Sequence, residues 1–171
     1  MEPDLQTTGA EADTGDADAQ FRLGLKHASS AGAQDYALAS QWYLKAAGQN
    51  HALAQFNLGM MYASGQGVRQ DDVEAGKWFH KAAQQGDAGA QFKLGMSHYR
   101  ASIWGLSQNA LESRIEAYKW LHLAAAQGYQ GSALARDSVT RKMTHEDVTE
   151  GSHRIAAFAA AEVKPLHAAS Q

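Results

Sequence analysis

Apolar residues in the middle of this chain recur three and four positions apart, in two stripes separated by a glycine-containing break. Ala54, Leu58 and Tyr62 stand at i, i+4 and i+8, which is one face of a helix. Ala75, Phe79 and Ala82 stand at i, i+4 and i+7 and mark a second helix. Between them, Ser64-Gly65-Gln66-Gly67-Val68 carries two glycines that stop the first helix and permit positive φ. Asp71 or Asp72 fits an N-cap for the second helix. Gly86 closes that helix, and Asp87 fits the cap of the next one.

The same beat returns along the chain. Ala19-Gln20-Phe21-Arg22-Leu23-Gly24 reappears as Ala54-Gln55-Phe56-Asn57-Leu58-Gly59 and as Ala90-Gln91-Phe92-Lys93-Leu94-Gly95, at spacings of 35 and 36 residues. Trp42-Tyr43-Leu44-Lys45-Ala46-Ala47 is answered by Trp78-Phe79-His80-Lys81-Ala82-Ala83 and by Trp120-Leu121-His122-Leu123-Ala124-Ala125, at spacings of 36 and 42. The third unit therefore carries six extra residues between its two blocks. A period in this range means helix pairs stacked as a solenoid. Gly24, Gly59 and Gly95 fall inside helices, where each costs about 1 kcal/mol against alanine. Their recurrence at one site predicts close helix approach. Trp42, Trp78 and Trp120 share one position of the second helix and are expected to pack between units, an aromatic ligand stripe being the alternative.

The units run over about residues 17–50, 51–86 and 87–128, followed by a decayed helix pair over 129–164. In that last pair, 131–142 fits a helix, and Thr144 with Asp147 resembles a capping box. The expected total is eight helices. Residues 1–16 read as an unstructured acidic lead-in and 165–171, from Pro165, as a flexible tail.

Composition sharpens this picture. Of 171 residues, 34 are alanine and only eight are valine or isoleucine, which disfavours strands. No run approaches a membrane span, and no basic flank precedes an apolar leader, so a cytoplasmic location without membrane insertion is expected. Residues 1–18 hold six acids and no base, which leaves the remainder at 15 bases against 12 acids. That excess is too small to imply nucleic acid.

Candidate chemistry is sparse. Cysteine is absent, and neither a nucleophile elbow nor a Walker loop occurs. No two of the eight histidines lie three or four residues apart, so no helix offers a histidine pair to a metal. Asp71-Asp72 and Glu146-Asp147 sit at predicted helix starts, where carboxylates favour the positive end of the dipole. No catalytic residue, metal or cofactor is assigned.

The second unit, Ala54-x3-Leu58-Gly59-x2-Tyr62-x2-Gly65-x-Gly67-Val68-x2-Asp71-x3-Ala75-x2-Trp78-Phe79-x-Lys81-Ala82-Ala83-x2-Gly86, resembles the Sel-one-like repeat, a subclass of tetratricopeptide-like solenoids. The first unit departs from it at Ala31-Gly32-Ala33-Gln34, and the third at Arg100–Leu111. The resemblance implies a right-handed all-α superhelix whose first helices line a concave face. It also implies a protein–protein adaptor, in bacteria often tied to signalling, secretion or envelope assemblies.

A partner surface follows from the helical wheel. The sides of the first helices turned away from their mates carry Phe21 and Leu25, then Phe56 and Met60, then Phe92, Met96, Tyr99 and Arg100. Trp104, in the third unit's insertion, joins them as a residue that either covers its own unit or meets a partner. The expected ligand is a peptide or helix of another protein. The phenylalanines, and the methionines with Tyr99, equally fit packing between neighbouring helices, and the tail after Pro165 could fold over the stripe. The alternatives are an enzyme with an unrecognised, hydrolase-like site and a self-associating structural subunit. Oligomeric state stays open.

Overall fold

The computed structural model describes residues 12–29, 33–104 and 109–162. Among them are eight helices and no strand. They are α1 (Ala17–Ser29), α2 (Ala33–Gly48), α3 (Ala52–Ser64), α4 (Asp72–Gln84), α5 (Ala88–Ile103), α6 (Ala110–Ala126), α7 (Ser132–Thr140) and α8 (His145–Glu162). The fold is an all-α solenoid of adjacent helix pairs, as the repeat predicts. The chain divides into two compact units, the first ending at Ala90 and the second beginning at Gln91.

In the first unit α1 packs on α2, α2 on α3 and α3 on α4. The shared core is built from small residues and a few rings: Ala39, Tyr43, Ala46, Ala54, Leu58 and Trp78 are buried together. Alanine lets the helices come close, and the repeated glycine closes the remaining distance. A Cβ on Gly24 would lie 2.5 Å from the Tyr43 ring, and one on Gly59 would lie 2.8 Å from the Phe79 ring. In the second unit the equivalent Gly95 seats Leu121, whose Cγ would be 2.6 Å from an added Cβ. Tyr43, Phe79 and Leu121 are themselves repeat-equivalent, so one small-for-large pairing is used three times.

Three helix starts, those of α4, α5 and α8, are capped by the predicted residues. Asp71 Oδ1 accepts from Val73 N and Glu74 N, both at 2.9 Å, and Asp87 Oδ1 accepts from Ala90 N at 2.7 Å. Thr144 and Asp147 form the reciprocal box, with Thr144 N donating to Asp147 Oδ2 and Asp147 N to Thr144 Oγ1.

The glutamine of each Ala-Gln-Phe block has a role the sequence analysis left unread. Gln55 is 1% exposed; its Nε2 donates to the Ala47 carbonyl at 3.1 Å, and its Oε1 accepts from Gln85 Nε2 at 2.7 Å. Gln20 makes the same pair of bonds, to the Ala12 carbonyl and from Gln49 Nε2. In the second unit Gln91 accepts from Gln127 Nε2 at 3.0 Å. A buried amide must find such partners, and for Gln55 they lie at the end of α2 and just beyond α4.

The Gln20 bond corrects the expected unstructured lead-in over its last five residues. Ala12 is 2% exposed, Gly15 has φ 102°, and Asp16 Oδ1 caps Ala19 N at 2.6 Å. Gly15-Asp16-Ala17-Asp18-Ala19-Gln20-Phe21 parallels Gly86-Asp87-Ala88-Gly89-Ala90-Gln91-Phe92. Residues 12–16 thus take the place that the last turn of α2 holds before α3. The remaining lead-in, residues 1–11, and the expected tail 165–171 lie outside the described residues.

The second unit gathers Ala117, Tyr118, Leu121 and Val139 in its core, and α6 packs on both α7 and α8. The insertion, expected between Arg100 and Leu111 as an irregular replacement of the turn, is partly helical instead. Helix α5 runs to Ile103, and α6 already starts at Ala110 under the Asn109 cap. Residues 105–108 lie outside the described residues.

Candidate partner-binding surface

In the first unit the candidate residues separate by burial. Leu25 on α1 is 44% exposed, and Leu53 on α3 is 51% exposed. Met60, the repeat equivalent of Leu25, is half-buried. Phe56 turns inward: its ring lies 5.9 Å from that of Phe79, and a Cβ on Gly89 would come within 3.1 Å of it. Phe21 is held likewise, stacked on His51 at 4.6 Å and tilted to Tyr43 at 5.8 Å. The phenylalanines therefore pack between helices, the alternative raised by their spacing.

In the second unit, Phe92 lies 5.3 Å from the Tyr129 ring. Met96 and Tyr99 are half-buried against the Tyr118–Leu121–Val139 core. Arg100 is exposed, and Trp104 is 67% exposed. Tyr99, Arg100 and Trp104 gather at the end of α5, where Trp104 N donates to the Arg100 carbonyl at 3.0 Å. Lys142 Nζ, from just beyond α7, lies 5.7 Å from the Tyr99 ring centroid. That approach joins residues far apart in sequence and was not legible there.

Two of the three repeat tryptophans are buried. Trp120 is 2% and Trp78 9% exposed, while Trp42 is half-buried. Each carries an ammonium over its ring: Lys45 on Trp42 at 3.9 Å, Lys81 on Trp78 at 4.2 Å and Lys119 on Trp120 at 4.3 Å.

His51 serves structure. It caps α3, its Nδ1 accepting from Ala54 N at 3.2 Å while Nε2 faces Asp18 at 3.1 Å. His122 is set differently. Its Nδ1 is buried with no partner, and burial, aided by the charge of Arg136, pushes its pKa down. Among the described residues no three His, Asp or Glu side chains converge as a metal site. An open groove of about 760 Å³ between α6 and α8 is lined by Leu111, Ile115, His145, Glu146, Asp147, Glu150 and His153. Asp147 at its edge is engaged in the capping box and Glu150 by Arg154.

Arg154 ties α8 to α6. It donates to Glu112, to Glu116 at 2.8 Å and to Glu150 at 2.8 Å. Burial alone would raise the Glu116 carboxyl. The hydrogen bond from Arg154 and the charge of Lys119 outweigh it, and the pKa falls below the ordinary carboxylate range. A depressed carboxylate stabilises the fold above its unfolded pKa of roughly 4 and loses that contribution as pH falls through its folded value. Arg154→Met should cost about 1–2 kcal/mol at pH 7. Thermal melts from pH 6 down to pH 3 should then show a shallower acid loss in the variant than in the wild type; parallel curves would refute the linkage.

The Sel1 repeat profile matches residues 17–51, 52–87 and 88–129. No curated protein matches the chain by sequence. Among solved structures, a protective antigen of uropathogenic Escherichia coli with an SLR fold is 27% identical, with a TM-score of 0.77. That match covers 96% of this chain and 36% of the antigen, so this chain spans about a third of its length. A Sel1 repeat protein from Oxalobacter formigenes is 31% identical, with a TM-score of 0.66, over 78% of this chain and 97% of that one. No helix among the described residues is long and apolar enough to cross a membrane.

Proposed function

Because this chain belongs to the Sel1 repeat family, whose members are generally protein-interaction scaffolds, we propose that it is a non-enzymatic adaptor holding a peptide or helix of a partner protein. The contact face, within the first unit, is the side of α1 and α3 that carries Leu25 and Met60. One observation carries this reading. The repeat-equivalent positions Leu25 and Met60 both keep large, flexible apolar side chains at least partly open to water, with Leu25 at 44%. Repeats conserve nothing of the sort by packing need alone, since a polar residue at an exposed position folds as well. Methionine and leucine adapt to varied apolar partners.

The test is affinity capture with the wild type and with the double variant Leu25→Glu/Met60→Glu. A specific heterologous partner should be retained by the wild type and lost by the variant, with the thermal midpoint nearly unchanged. Recovery of copies of the chain alone would favour a self-associating subunit and refute the adaptor. Met96→Glu is expected to behave differently from those two. Met96 also packs on the Tyr118–Leu121–Val139 core, so a charge there should cost about 2–3 kcal/mol of stability.

A further inference from the structure

The partner's chemistry can be read from the second unit, on the premise that the chain is an adaptor. The end of α5 and the end of α7 share a surface that is both cationic and aromatic. Lys142 Nζ stands over Tyr99 at 5.7 Å. Arg141 beside it is exposed, and its Nη2 reaches Ser138 Oγ at 3.1 Å. Arg114 donates through Nη1 to the Lys142 carbonyl at 2.7 Å, which fixes that corner from below, and its own Nε is buried without a partner. Arg100 follows Tyr99 and is exposed; Trp104, one turn further, is 67% exposed.

Five acids of this unit are engaged elsewhere. Glu112, Glu116 and Glu150 turn to Arg154, Asp137 pairs with Arg136 at 2.8 Å, and Asp147 serves the Thr144 box. Among the described residues no carboxylate pairs with Arg100, Arg141 or Lys142. Cations without carboxylate partners, beside the exposed Trp104 ring and the half-buried Tyr99 ring, attract carboxylates and give an apolar side chain somewhere to lie.

We propose that this surface binds an acidic segment of the partner protein, with Asp or Glu interleaved with aromatic or aliphatic residues. Its carboxylates meet Arg100, Arg141 and Lys142, and an apolar side chain lies on Trp104 and Tyr99. A nucleic acid strand would need a longer cationic track than these few residues offer, in a chain whose net charge is −3.

Random twelve-residue peptides displayed on phage, selected against the full chain, test this. The expected result is enrichment of net-negative peptides bearing an aromatic residue. A synthetic peptide of the enriched sequence should lose about tenfold or more in affinity on Arg141→Glu/Lys142→Glu, and weaken as salt rises. Arg141→Gln/Lys142→Gln should show a smaller loss in the same direction, and it keeps the test valid if charge reversal disturbs folding. Enrichment of neutral or basic peptides, or affinity indifferent to both variants, overturns the acidic assignment and leaves the adaptor reading standing. No enrichment at all counts against both. A twelve-residue oligothymidylate that binds as tightly as the acidic peptide, and is lost in the same variants, overturns the assignment in favour of nucleic acid.

Discussion

Gly67→Ala is expected to lower the thermal midpoint by about 6–12 °C. Gly67 has φ 70°, where an alanine is strained by about 1 kcal/mol. The added Cβ would also lie 2.2 Å from the Tyr36 carbonyl oxygen and 2.8 Å from Ala37 N. Those are backbone atoms of α2, and no rotamer change relieves the overlap. The turn must therefore withdraw from α2 and take Val68 off the core it packs against. Together these effects come to about 3 kcal/mol, and a domain of this size loses about 2–4 °C per kcal/mol. Gly76→Ala makes the control. Gly76 lies within α4, and a Cβ there meets nothing within 4 Å. That change should stabilise by up to about 1 kcal/mol. Differential scanning fluorimetry on both variants checks the pair, and equal midpoints would mean the turn yields freely.

Trp120→Ala is expected to cost about 3–5 kcal/mol, the range for emptying a large buried aromatic site. Trp120 is 2% exposed, holds Phe158 of α8 edge-on at 5.4 Å, and carries Lys119 over its ring. The cavity would lie beneath α8, which also leans on α6 through Arg154. Hydrogen exchange should therefore accelerate first over His145–Glu162. Trp42 occupies the same repeat position but is half-buried, so Trp42→Ala should cost less, about 1–2 kcal/mol. Urea unfolding that gives the two variants the same loss would contradict this account.

Much of the candidate surface was legible and part of it was not. Repeat phase alone places Leu25, Met60 and Met96 at one position, because a 35–36-residue period maps equivalent residues onto equivalent faces. The phase cannot say how deep each side chain sinks. Phe56 and Phe92 share that helical side yet turn into ring contacts with Phe79 and Tyr129. Their depth depends on the neighbouring helix, and the glycine at 89 that admits the Phe56 ring is visible only once the helices are placed. The meeting of Lys142 with Tyr99 and Arg114 belongs to the same class, since it spans the decayed pair where the repeat signal has faded.

The sequence by itself determined the helices, their pairing and the caps at Asp71, Asp87 and Thr144. These depend on spacing within a few residues of chain: apolar positions three and four apart, glycines at the ends, and aspartates at the starts. It also determined that helices approach closely at Gly24, Gly59 and Gly95, because one glycine site recurs three times. Tertiary structure alone decided what fills each site and what joins one helix pair to the next. The Gln55 bonds to Ala47 and Gln85 span eight and thirty residues. The equivalent bond from Gln20 draws Ala12 into the fold, although the local composition around it is acidic and glycine-bearing. Local composition reports how a segment behaves alone in water. A buried amide that needs a carbonyl partner overrides that preference once the neighbouring helix is in place.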